Sequence, residues 1–360
     1  MATSVHVCET TRTGPDHPNR PPPHHPDAPA PRRPDRKAPR TPLTSLLATA
    51  LTPALAAGGL LLTATGPASA AATVEVTTAA QLKTALGAAR PGDTIHLADG
   101  TYTGNFKAAT PATASARITL TGSPRAVLTA GGGYGLHLNG ASYWTVAGLT
   151  VTGGQKGIMI DAAKGVVVDG VTVHGLDMEG VHFRNSSTDG VIRNSTIYDT
   201  GNDGRGMGEG VYVGTANTLS DRSDRVQILH NTIGPDVGGE NIDIKEGTTG
   251  ARIIGNTFDG SGLTGAHYDD SWVDVKGNNV LVQDNTGTAT SNDGYQTHSQ
   301  QPGWGCGTVF KGNKSTLTGA TGSTRLAINV THYSAGCTTT VYGTNTVTGG
   351  NGLTNVQVTP

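Results

Sequence analysis

The sequence predicts an all-β solenoid, short strands wound into stacked coils and closed at the N-terminal end by a short helix. Composition is the first support: 52 of 360 residues are glycine, 4 % are aromatic and 14 % are charged. That mixture suits short strands and many turns, not a long charged helix or a core of large rings. The second is a recurring apolar strand behind a small or polar residue. Its copies start at Gly135, Gly157, Gly180, Gly210, Asn241, Trp272, Gly294 and Arg325, in steps of 22, 23, 30, 31, 31, 22 and 31 residues. A minimum near 22 suits a coil of three short strands, and insertions of about eight residues lengthen loops at one corner.

The third observation is a second series between these strands: Val166–Val173, Val191–Ile197, Val226–Ile233, Ala251–Phe258 and Val280–Thr286. Each alternates, passes a polar turn, and resumes with Thr or Ser. The turn carries Asn194, Asn231, Asn256, Asn285, Asn313 and Asn345. Asparagine tolerates left-handed backbone and bonds its neighbours, so a column of turn asparagines is expected to tie coil to coil. Ala80–Leu86 reads as the capping helix, which a solenoid needs because its first coil otherwise exposes apolar interior and strand edges.

The chain divides into three parts. Residues 1–70 hold 13 of the 19 prolines and 7 of the 25 basic residues, so residues 71–360 carry 18 basic against 23 acidic groups. Residues 1–42 are a Pro-rich leader too poor in apolar residues to fold. Residues 43–70 follow a basic cluster with an apolar stretch and end in Ala68-Ser69-Ala70. This is the order of a secretory signal, and Pro53 and Gly58-Gly59 interrupt it as a membrane span. Residues 71–360 are then an extracellular domain, expected to be monomeric and without a membrane span once the signal is cleaved. A slightly acidic body gives no footing for nucleic acid.

Cys8 falls in the leader, leaving Cys306 and Cys337, 31 residues apart. That equals the step from Gly294 to Arg325, so the two should meet on adjacent coils about 4.8 Å apart and form a disulfide in an oxidising compartment.

Alternation places the residue between two inward apolar ones on the outside. Coil by coil the outward residues are His137 and Asn139, Met159 and Asp161, His182 and Arg184, Tyr212 and Gly214, Asp243 and Lys245, Asp274 and Lys276, then Gln296 and His298. The turns ahead of the strands add Glu179, Glu209, Glu240, Asp269, Asp270 and Asp293. Stacking at about 4.8 Å forces like charges together, which is costly unless a cation or a base lies between them. Glu209, Glu240, Asp243, Asp270 and Asp274 are hard oxygen donors suited to Ca2+, with Lys245 and Lys276 as compensating charges.

Over roughly residues 73–355 the pattern resembles the right-handed parallel β-helix of the pectin-lyase-like superfamily, and Pro91–Tyr102 resembles the first coil of such helices in secreted polysaccharide enzymes. Glu240–Lys245 is similar to the strand in family 9 pectate lyases where an acidic residue precedes a catalytic lysine by five positions. Asp269–Asp274 resembles their paired-aspartate segment on the next coil. The resemblance implies a secreted lyase acting on an acidic, uronate-containing polysaccharide by β-elimination. Lys245 would be the base that removes the C5 proton, and Ca2+ would neutralise the substrate carboxylate. A basic lysine must be partly neutral, which asks Lys276 or Ca2+ to lower its pKa. Arg184 and Lys276 would clamp carboxylates, Tyr212, His182 or His298 would donate to the leaving oxygen, and Trp304 with Tyr295 would stack on sugar.

The motifs Asp-Pro-His-Glu of mannuronan epimerases, Trp-Ile-Asp-His of family 1 pectate lyases and Arg-Ile-Lys of polygalacturonases are missing from the sequence. Insertions after Asp199, Gly234 and Ser261 extend three consecutive coils and should wall a groove. Two other functions fit the same residues: a hydrolase using paired carboxylates, and a non-catalytic carbohydrate-binding or cell-surface β-helix with a structural Ca2+ site.

Overall fold

The computed structural model describes residues 70–266 and 269–360, so the expected leader and signal lie outside the described residues. The cap forms where expected. Thr78 opens a helix over Ala79–Ala88 with a capping box: its side chain accepts from the Gln81 backbone N–H, and the Gln81 side chain reaches back to the Thr78 backbone. That satisfies donors the first turn otherwise leaves open. Leu82, Ala85 and Leu86 face the first coil and are buried.

From Thr73 onward the chain winds through three parallel sheets of 12, 10 and 10 strands. Sheet 1 begins at Thr73–Val76, sheet 2 at Gly100–Thr103 and sheet 3 at Phe106–Ala108. Each strand pairs with the equivalent strand one coil away, so almost every pairing is long-range and parallel. The sequence steps reproduce the sheet 3 register from Leu136↔Ile158 to Val273↔Tyr295. The last step is a correction. Tyr295 pairs with Ile328, 33 residues on, not 31. Because the slip is two residues, the same side chains still face inward.

The interior is a continuous apolar column, with Leu136, Ile158, Val181, Val211, Ile242, Val273, Tyr295 and Ile328 stacked on the inner face of sheet 3 at 1 % exposure or less. Trp272 fills the corner between sheets 2 and 3. It is accommodated by Gly287, where a Cβ would lie 2.4 Å from the indole ring.

Between sheets 1 and 2 the turn amides form a ladder. Nδ2 of Asn231, Asn256, Asn285 and Asn313 each donates to Oδ1 of the next asparagine, ending at Asn345, at 2.8–3.0 Å. Asn194 is not in it. Ser195 takes that position and donates its backbone N–H to Asn231, while Asn194 bonds Asp169 on the surface. Cys306 and Cys337 are joined in a disulfide. Their spacing matches the sheet 1 register, where Val309 pairs with Thr340. Among the described residues no helix is long and apolar enough to cross a membrane.

Candidate active site

Sheet 3 carries its polar residues in aligned rows. One row runs His137, Met159, His182, Tyr212, Asp243, Asp274 and Gln296, each the register partner of the next. Beside it lie Asp161 and Arg184, then Gly214, Lys245, Lys276 and His298 at the strand exits. At the strand starts Lys156, Glu179, Glu209 and Glu240 occupy successive coils.

Two walls flank this face. On one side the loops around 199–208 and 234–240 are bonded together, with the Thr200 and Gly238 amides donating across at 3.0 and 2.9 Å. On the other, Asn217 donates its amide to Glu246 at 2.6 Å, Gln301 donates to Asn217, and Arg222 packs on the Trp304 ring at 5.5 Å.

At the centre Asp243 is gripped by both lysines. The Lys245 ammonium contacts one of its oxygens, and Lys276 Nζ lies 3.1 Å from each. Lys276 also lies 2.5 Å from Asp274, whose other oxygen faces His298 Nε2 at 3.6 Å. The Lys245 ammonium sits 5.0 Å from the centre of the Tyr212 ring. His182 closes the floor, edge-on to Tyr212 at 4.5 Å. Its Nε2 lies 2.8 Å from the Gly214 carbonyl, which can only accept, so that nitrogen carries a proton.

Of the five residues expected to hold a metal, Glu209, Glu240 and Asp243 converge, with donor oxygens within 4.8 Å of one another, all buried. Asp274 is turned to Lys276 and His298, and Asp270 accepts instead from Asn292 and Gln296 at 3.0 and 2.8 Å. Burial and the neighbouring Glu179 push the Glu209 carboxyl up to about 8, and burial with Asp243 holds Glu240 well above the usual range. Glu209 Oε2 has no hydrogen-bond partner.

The lysines titrate opposite to expectation. Burial alone would lower Lys245, but Asp243, Glu240 and Glu209 outweigh it and raise its pKa. Lys276 is raised likewise by Asp243 and Asp274. The like charge of Lys245 acts against this rise at Lys276 but is outweighed by the carboxylates. Burial also keeps the Tyr212 phenol protonated and, with Lys156, holds His182 neutral.

Other expected contacts change. His182 is 3 % exposed and belongs to the floor. Tyr295 points into the interior against Trp272 and Phe310, so it offers no sugar platform. Trp304 is half-buried on the Arg222 wall, and Arg184 lies two coils from Lys245, held by Asp161. Lys156 was not anticipated, although it pairs with Glu179 at 3.3 Å in full burial. Its signal was available: Lys156-Gly157 occupies the place of Glu179-Gly180 and Glu209-Gly210 in the repeat.

Fold and site together define a right-handed parallel β-helix of the pectin-lyase-like superfamily. A family profile described as a right handed beta helix region matches residues 134–219. An alginate lyase from Paenibacillus sp. str. FPU-7 superposes with a TM-score of 0.74 at 39 % identity, covering 80 % of this chain and 99 % of that one. The chain belongs to the family of that Paenibacillus protein. Pectate lyase Pel9A (TM-score 0.55, 14 % identity, 72 % and 74 % covered) and the Streptococcus pneumoniae adhesin PfbA (0.51, 13 %, 77 % and 81 %) share the fold. No curated protein matches the chain in sequence.

Proposed function

We propose that the chain is a secreted lyase that cleaves a uronate-containing polysaccharide of the alginate class by β-elimination. The observation that carries this reading is the 39 % identity to an alginate lyase over 99 % of that protein. The paired lysines beside Tyr212 supply chemistry consistent with it.

A uronate bound over Lys245 and Lys276 would place its carboxylate against the Lys276 ammonium, acidifying the C5 proton. Lys245, held as an ammonium by Asp243 near neutral pH, becomes a base by losing its proton to solvent as pH rises. Neutral Lys245 then takes the C5 proton, the electron pair forms the C4–C5 double bond, and the C4–O bond breaks. Tyr212, protonated and beneath Lys245, donates to the departing oxygen.

Glu209, Glu240 and Asp243 fit a hard divalent cation: three buried carboxyl groups converge, one of them with an unpartnered oxygen. We propose Ca2+ for this trio, where it would supply positive charge for the substrate carboxylate.

The test is to incubate the protein with alginate, pectate and glucuronan and follow unsaturated product near about 230 nm, where the new conjugated double bond absorbs. Absorbance should rise with alginate, and the rate of that rise should fall after EDTA. New reducing ends without absorbance would make the protein a hydrolase, and binding without either would make it a carbohydrate-binding module. Unchanged activity and melting temperature in EDTA would remove the calcium proposal.

A further inference from the structure

Two coils before Lys245, a second polar cluster stands on the same face. Asp161 accepts from Arg184 Nε at 2.7 Å and from Arg184 Nη2 at 3.3 Å. His137 Nε2 lies 2.8 Å from the same carboxylate, and Asn185 Nδ2 donates to it at 3.2 Å. Arg184 Nη2 donates to the Tyr134 hydroxyl at 3.4 Å, and the Tyr134 ring stands edge-on to His137 at 5.2 Å. The Arg184 and His137 side chains remain 17 % and 18 % exposed.

A guanidinium presents two hydrogen-bonding edges. Asp161 takes the Nε–Nη2 edge, and Nη1 has no partner among the described residues. Arg184 is thus fixed in direction, with donors left over for an anion. Burial would raise the Asp161 pKa, but His137 and Arg184 hold it well below the carboxylate range, so the brace stays ionised.

The next position along the row is Gly214, which projects no side chain. Its φ of +89° suits glycine, and a Cβ there would lie 2.7 Å from Thr248 Cγ2. The row therefore reads cation, gap, cation, cation: Arg184, Gly214, Lys245, Lys276. Arg184 and Lys245 are separated by two coil spacings, about 10 Å. A 1,4-linked pyranose advances by nearly one coil, so in a polyuronate laid along the solenoid axis the uronate two sugars on lies about two coils away.

We infer that Arg184, braced by Asp161, His137 and Tyr134, is a carboxylate subsite for the uronate two sugars from the one at Lys245, and that it sets the shortest oligomer handled well. This rests on the lyase reading above, and Arg184 acts here in binding, away from the bond that breaks.

The experiment compares wild type, Arg184→Gln and Arg184→Lys on alginate oligomers of defined length and on polymer. Wild-type kcat/KM should step up once an oligomer reaches Arg184. Arg184→Gln should remove that step, costing about ten- to a hundredfold through KM on long substrates, as loss of a charge-assisted bond does. The shortest cleaved oligomer should be unaffected although Arg184→Gln melts lower, since the buried Asp161 loses its charged partner, and Arg184→Lys should restore part of the step. An equal loss at every length, or none, overturns the subsite. If wild type yields no unsaturated product, the lyase reading fails alone: calorimetric binding of the same oligomers then tests the subsite, and binding that ignores length or Arg184→Gln overturns it.

Discussion

Two buried polar stacks run along this solenoid, and they solve the same problem differently. In the turn between sheets 1 and 2, Asn231 to Asn345 pass hydrogen bonds from coil to coil, each amide donating to one neighbour and accepting from the other. On sheet 3, Glu179, Glu209 and Glu240 stack at the same spacing, but carboxylates only accept. Glu179 Oε1 and Glu209 Oε2 have no hydrogen-bond partner, and Glu179 Oε2 faces the Lys156 ammonium at 3.3 Å. An amide is complementary to a copy of itself and a carboxylate is not, so parallel stacking turns one into scaffold and the other into a demand for protons or cations. Lys156 pairs with Glu179, and the charges of Lys245 and Lys276 offset part of the burial of Glu209 and Glu240.

The largest expected effect separates the stacks by function. Lys245→Ala should lower kcat by about a thousandfold, the scale of a lost general base. Asp243 keeps Lys276, so the fold should survive. Since Asp243, Glu240 and Glu209 hold the Lys245 proton, wild-type kcat should climb with pH beyond neutrality. Full activity in Lys245→Ala would end its role as base.

Next is an attempt to make the ladder resemble the acid stack. Asn285 donates to Ile253 O and to Asn313 Oδ1. Asn285→Asp replaces those donors with acceptors and should cost about 3 kcal/mol near neutral pH, as an unpaired buried charge does. The loss should shrink at pH 4, where the new carboxyl keeps its proton. Urea unfolding at the two pH values measures it, and equal stability to wild type at both would contradict the ladder's role.

The smallest effect makes the acid stack resemble the ladder. Glu209 is raised from 4.5 to about 8 on folding. Its folded form holds the proton more tightly, so this stabilising contribution is full below about 4.5 and is lost as pH rises through about 8. In EDTA, melting temperature should therefore fall between these values. Glu209→Gln should remove that part of the slope and melt a few degrees above wild type at pH 8. A wild-type melting temperature that stays level across this range would show that Glu209 is not under this strain.

Much of this was legible because a solenoid is nearly one-dimensional. Period and alternation placed the row from His137 to Gln296, and the one slip, at Ile328, was an even one that preserved parity. Asn194 was misplaced because it adjoins Ser195 in a turn where only hydrogen bonding distinguishes ladder from surface. Tyr295 does not serve as the expected sugar platform because it occupies the inward phase taken by Val273 and Ile328.

The sequence by itself determined the coil period, the buried column, the cap, the cysteine pairing and the face on which the ionisable groups gather, because each follows from spacing along one repeat. Tertiary structure alone decided what those groups do to one another. Asp243 between two lysines holds their protons instead of expelling them, Asp270 turns to Asn292 and away from the acid trio, and Arg184 is braced by a carboxylate one coil away. Such outcomes depend on distances of a few ångströms and on burial, since interaction between charges falls with separation and with screening by water, and neither quantity is written in the order of residues.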